Sequence, residues 1–153
     1  MPRKKKRKPE PAVITGKPVA LGGSLGRTAA TGQGAYYCVK TLDQRLSWGN
    51  GKKTVAIQGF GNAAQSLAYS LFRDGYAITA VSDSKGGILT TDALDIPRLL
   101  EWKRSGKSVV DYKMQPIRII SNDELLAAKA PAVYSEAYHT LVQFSRNPGR
   151  YYN

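Results

Sequence analysis

Gly59-Phe60-Gly61-Asn62-Ala63-Ala64 follows directly on the apolar run Thr54-Val55-Ala56-Ile57-Gln58 and precedes Leu67, Ala68 and Leu71. This order of residues predicts a strand that turns through glycines into a helix. Gly59 allows a tight exit from the strand. Gly61 lets the backbone approach a pyrophosphate with no Cβ in the way, and Ala64 stands where only a small residue lets the helix lie close to the sheet. The helix is expected to begin near Asn62, with its free N–H groups and positive dipole end towards the phosphates. Taken alone, the pattern more often marks a plain glycine turn. Its context favours dinucleotide binding: Ala64, Leu67, Ala68 and Leu71 share one helical face, Gly75 closes the helix, and a second strand over 77–81 ends at Ser82-Asp83. Asp83 stands about 20 residues beyond the glycines, the place of a ribose-binding acid. Its other reading is a turn residue ahead of Ser84-Lys85-Gly86-Gly87.

Upstream lie Thr15-Gly16-Lys17-Pro18, then Leu21-Gly22-Gly23-Ser24-Leu25-Gly26-Arg27, then Ala30-Thr31-Gly32-Gln33-Gly34; downstream the second strand runs Ala80-Val81-Ser82-Asp83-Ser84-Lys85-Gly86-Gly87-Ile88. In order and distance these motifs resemble the glutamate dehydrogenase family, which includes the leucine, phenylalanine and valine enzymes. The similarity extends from about residue 13 to about residue 126. It implies an NAD(P)-binding domain of Rossmann type, with the dinucleotide, NAD or NADP, as its ligand. By that resemblance Thr31 corresponds to a threonine at the nicotinamide end of the cofactor and Asn62 to an asparagine that also contacts it. Phe60, Ala63 and Ser84 fall within the same matching motifs as cofactor-binding candidates. Arg27 matches an arginine near the amino acid substrate, where a guanidinium fork suits a carboxylate. The residues themselves also allow plainer roles: Thr31 at a helix start, Asn62 as an N-cap, Arg27 as a solvated loop charge.

In the family, hydride transfer depends on an N-terminal domain carrying a catalytic lysine, a substrate-binding lysine and a catalytic aspartate. The resemblance places that machinery ahead of residue 13, where this sequence has 12 residues. No catalytic residue is therefore assigned, and the chain is expected to be catalytically incomplete, cut at both ends: a gene remnant, a frameshift product or one part of a split enzyme completed by a partner subunit. Beyond Leu126, residues 127–153 offer no match.

Composition sets the remaining bounds. At 153 residues and 42% hydrophobic, the chain suffices for one domain, which at this size buries about 68–70% of its unfolded surface. The single Cys38 gives no disulfide framework and fits a reducing compartment, so a cytoplasmic location is expected. One histidine, His139, builds neither a metal site nor a triad. No apolar run approaches the 18 residues or so of a membrane span, and no secretory h-region opens the chain.

Net charge is +12, and half of it comes from Arg3, Lys4, Lys5, Lys6, Arg7 and Lys8. This run reads first as a solvated tail. Nucleic acid binding, or a nuclear address, is the alternative function and would rest on these six cations alone. The expected organisation is a basic tail over 1–12, a nucleotide-binding domain over 13–126 and an unmatched segment over 127–153. Within the domain come a glycine-rich loop over 13–29, a helix over 30–46, the strand–turn–helix–strand unit, a loop to Asp92, a helix over 96–105 and a third strand over 117–120. Ser121 and Glu124 are spaced as a capping box for a short helix. The fold class is α/β, a partial Rossmann-type domain with a mostly parallel sheet.

Overall fold

The computed structural model describes residues 16–46, 53–127 and 132–135. A 3-10 turn over Val19–Leu21 precedes α1 (Arg27–Leu46); then follow β1 (Thr54–Gln58), α2 (Asn62–Arg73), β2 (Ala77–Asp83), β3 (Gly86–Leu89), α3 (Ile96–Arg104), β4 (Arg118–Ile120), α4 (Asn122–Leu126) and β5 (Ala132–Ser135). The strands form one sheet in the order β4-β3-β2-β1-β5. β1 runs parallel to both β2 and β5, whereas β2–β3 and β3–β4 are antiparallel.

The sheet is thus mixed rather than mostly parallel, which corrects the expectation. The segment expected as a loop to Asp92 contains β3, which doubles back from β2 through a two-residue turn at Ser84-Lys85. The strand expected third, over 117–120, is the fourth and spans Arg118–Ile120. Four residues starting with two glycines carry little strand signal of their own. Their strand conformation comes from pairing on both sides, with β2 and with β4. A Cβ on Gly87 would lie 3.0 Å from the Ser82 Cβ and the Val81 carbonyl, so glycine also permits the close approach of the two strands.

Helices cover both faces. Val55 and Ile57 of β1 and Ile78 and Val81 of β2 pack with Val39 of α1, Leu67 and Leu71 of α2 and Leu99 of α3. Ala56 and Ala80 face the other way, onto Ile120 and Leu125. Ile78 and Val81 share a face despite an odd spacing because the β1–β2 register skips Thr79: Val55 pairs with Ile78, but Ala56 with Ala80.

Local signals set the helix ends. Asp95 caps α3, its carboxylate accepting from the Arg98 N–H at 3.1 Å, with Pro97 in the first turn. Ser121 and Glu124 form the reciprocal capping box of α4. α2 ends before Gly75, whose φ of 83° is the left-handed conformation that favours glycine.

α1 is fastened by carboxylates. Asp43, buried, accepts from the Lys53 ammonium and the Tyr76 hydroxyl, and Asp74 beyond α2 accepts from Tyr36 and pairs with Lys40. Burial pushes the Asp43 carboxyl up, but the bonds from Lys53 and Tyr76 outweigh it and hold the group below the usual carboxylate range. A carboxylate whose pKa is depressed on folding contributes stability above its unfolded value, about 4, and loses it as pH falls through the folded value. Thermal unfolding should therefore shift to lower temperature below about pH 4. Asp43→Asn should lower the melting temperature at neutral pH and flatten that acid dependence; an unchanged acid slope would refute the role of this clamp.

Candidate functional site

The site begins at the carboxyl end of β1, between neighbours reached over opposite faces of the sheet: α2 leads to β2, and α4 precedes β5. In open α/β sheets such a switch of strand order leaves a crevice outside the strand ends. Gly59 turns the chain there with φ 81°. Gly61 takes the N-cap position of α2 in extended conformation and, as a glycine, supplies no side-chain cap. Asn62 and Ala63 form the first turn, Asn62 exposed and Ala63 half-buried. Phe60 stands apart from the other turn residues. Its ring is buried in the core, and its carbonyl accepts from Gln65 Nε2 at 3.0 Å.

α1 crosses the first half of α2 at Gly32. A Cβ there would stand 2.3 Å from the Ala63 carbonyl oxygen, 2.6 Å from the Ser66 Cβ and 2.9 Å from the Leu67 nitrogen. This contact places exposed Thr31 beside the first turn of α2. Arg27 is the first residue of α1 rather than part of a loop, because the helix starts three residues earlier than expected. Arg27 is exposed, and its guanidinium lies alongside Gly16. A groove of about 450 Å³ opens nearby between Thr28 of α1, Asn62, Gln65 and Tyr69 of α2, and Leu100 and Arg104 of α3. It follows the outer face of α2. Neither Gly59 nor Asp83 lines it, so the crevice at the strand ends, rather than this groove, is the dinucleotide candidate.

At the end of β2 the Asp83 carboxylate points into the protein. One oxygen accepts from the Lys85 N–H at 3.0 Å and the Ser108 hydroxyl at 2.9 Å; the other accepts from the Val109 N–H at 2.9 Å and the Lys103 ammonium at 3.0 Å. Its carbonyl accepts from Asn122 Nδ2 at 3.2 Å. Burial pushes the Asp83 carboxyl up, yet the Val109 and Lys85 amides, Lys103 and Ser108 together hold it below the ordinary range. Ser84 and Lys85, in the turn, are exposed.

Residues 22–138 match the family described as Glutamate/Leucine/Phenylalanine/Valine dehydrogenase. The chain belongs to this family. It is 43% identical over 129 residues to the NADP-specific glutamate dehydrogenase of Synechocystis sp., covering 80% of this chain and 30% of that protein. With the glutamate dehydrogenase of Thermotoga maritima the identity is 39% over 132 residues, covering 83% and 31%. The hetero-hexameric glutamate dehydrogenase of Thermus thermophilus, in its Leu-bound form, superposes with a TM-score of 0.68 at 29% identity, covering 82% and 29%. The chain therefore spans about 30% of the length of these relatives.

Within this dehydrogenase fold the structure gathers Gly59, Gly61, Asn62, Ala63 and Thr31 at one end of α2, and sets Asp83 and Ser84 at the end of the adjacent strand. Lys103 and Ser108, which close around Asp83, escaped the reading of the sequence. They lie 20 and 25 residues further on, Lys103 in the last turn of α3 and Ser108 just beyond it, with β3 in between, and no local pattern marks them. β5 falls in the stretch beyond Leu126 for which the sequence offered no match, and its four residues pair with β1. Among the described residues no group of three or more acidic, cysteine or histidine side chains is placed to hold a metal, and no helix is long and apolar enough to cross a membrane. The basic run over 3–8 and His139 lie outside the described residues.

Proposed function

We propose that this chain is the dinucleotide-binding portion of an amino acid dehydrogenase of the glutamate type, holding NAD or NADP across the carboxyl ends of β1 and β2. The observation that carries the reading is the start of α2, with glycine at its N-cap, directly behind the left-handed Gly59 and at the switch of strand order. Backbone groups from Gly59 to Ala63 would face the pyrophosphate, Thr31 and Asn62 the nicotinamide end, and Ser84 the adenosine ribose. When bound, the nicotinamide supplies the hydride acceptor or donor. Phe60 contributes through its backbone position only. Arg27, exposed at the start of α1, offers its fork to a substrate carboxylate. Leu21 and Leu25, 70% and 85% exposed just ahead of α1, support a surface that further parts of such an enzyme would cover. We assign no catalytic residue within the described residues.

Isothermal titration of NAD and of NADP into the wild type and Gly61→Val, with circular dichroism as the control for folding, tests this. A branched side chain would occupy the space between backbone and pyrophosphate, so at least a tenfold loss of affinity is expected, about 1.4 kcal/mol. Equal affinity of the two folded proteins would sink the proposed site.

A further inference from the structure

We infer that the end of β2 takes the 2′-phosphorylated dinucleotide, NADP, at least as tightly as NAD, because the Asp83 carboxylate is already satisfied and neutralised inside the protein. The inference rests on the dinucleotide reading above and narrows the choice between NAD and NADP that the sequence leaves open.

An acidic residue at this position selects NAD in two ways: it accepts hydrogen bonds from the ribose hydroxyls, and its negative charge repels a 2′-phosphate. Both need a carboxylate turned towards the crevice. An ionised carboxylate offers about four lone-pair sites. Here four donors fill them: the Lys85 and Val109 N–H groups, the Ser108 hydroxyl and the Lys103 ammonium, all at 2.9–3.0 Å. The Ser108 hydroxyl also lies 3.0 Å from the second oxygen, so it stays within the cage whichever oxygen it serves. No acceptor site is left for a ribose hydroxyl.

The charge is cancelled as well. The side chains of Lys103 and Asp83 are 17% and 13% exposed, so solvent screens little of their attraction. The remaining charged side chains carried by the elements that meet there are Lys85 in the turn, Arg98, Glu101 and Arg104 of α3, Lys107 stacked 4.1 Å over the Trp102 ring, Asp111, and Arg118, Asp123 and Glu124 around the start of α4, so cations at least match anions. A phosphate of charge about −1.5 to −2 therefore meets no net negative corner, and exposed Ser84 and Lys85 in the turn offer it a hydroxyl and an ammonium.

The test is the ratio of dissociation constants for NAD and NADP, measured by titration calorimetry on the full chain at raised salt, which suppresses loose phosphate attraction to the basic tail. The wild type should bind NADP as tightly as NAD or more tightly. Lys103→Met leaves the Asp83 charge uncompensated and should move the ratio about tenfold towards NAD, whereas Lys103→Arg should hold it. Ser108→Ala empties one lone pair without changing charge and should strengthen NAD several-fold; this variant decides the matter should Lys103→Met fail to fold. A wild type that prefers NAD tenfold or more, or a ratio unmoved in both folded variants, overturns the inference while leaving the dinucleotide site standing. Binding of neither dinucleotide by folded wild type overturns the site and the inference together.

Discussion

Asp83→Ala is expected to melt about 6 to 12 °C below the wild type, from a loss of about 3 kcal/mol. The substitution strands a mostly buried ammonium, a buried serine hydroxyl and the amide of Val109 at once. Breaking a buried ion pair by removing one partner destabilises by about 3–5 kcal/mol, and the low end applies because the lysine stem can swing its head towards water. The effect also reaches across the sheet edge. Asp83 joins β2 to the end of α3 through Lys103 and to the 3-10 turn over Val109–Asp111, and its carbonyl joins α4 through Asn122. Asp83→Asn keeps one acceptor oxygen and should lose less. Adding Lys103→Met to Asp83→Ala should recover part of the loss, since the double variant leaves no buried charge. A melting point for Asp83→Ala within 2 °C or so of the wild type would show that the cage contributes nothing to folding.

Gly32→Val is expected to lose about 3 kcal/mol and to weaken dinucleotide binding with it. A helical glycine is ordinarily a liability, worth up to about 1 kcal/mol less than alanine. At Gly32 that preference is overruled by contact, because the nearest obstacles to a Cβ are the Ala63 carbonyl oxygen, the Ser66 Cβ and the Leu67 nitrogen, none of which can rotate aside. The two helices would have to separate, drawing Thr31 away from the first turn of α2 and opening the core around Val39 and Leu67. Gly34, two residues on in the same helix, supplies the control: nothing lies within 4 Å of a Cβ built there. Gly34→Ala should therefore stabilise by about 0.5–1 kcal/mol, while Gly32→Ala destabilises. Chemical denaturation of the two alanine variants reads the contrast directly. Stabilisation by both would mean that α1 does not dock on α2 as described.

Much of the frame is legible in the residues because local chemistry decides it. β1 and α2 follow from an apolar run, two glycines and apolar residues at helical spacing. The Asp95 cap, the Ser121–Glu124 box and the left-handed Gly75 mark element ends within three or four residues of themselves. β3 was not legible, since a glycine-led tetrapeptide becomes a strand only when β2 and β4 present their edges to it. The bulge at Thr79 likewise depends on β1, and it decides which face Val81 and Asp83 take.

The sequence by itself determined the family, the glycine turn, the order of strand and helix around it and the candidate residues Thr31, Gly59, Gly61 and Asn62, because these are carried by short motifs whose parts act on one another locally. The orientation of a side chain at the end of a strand is different in kind. It depends on which donors the rest of the chain brings within 3 Å, and those at Asp83 come from residues 85, 103, 108 and 109. Only the tertiary structure decided that this carboxylate turns inward, because closing a loop of some 20 residues onto it requires the packing of α3 on α2 and the pairing of β3 with β4. The same holds for Gly32, whose absent side chain acquires its meaning only where the backbone of α2 passes beside it.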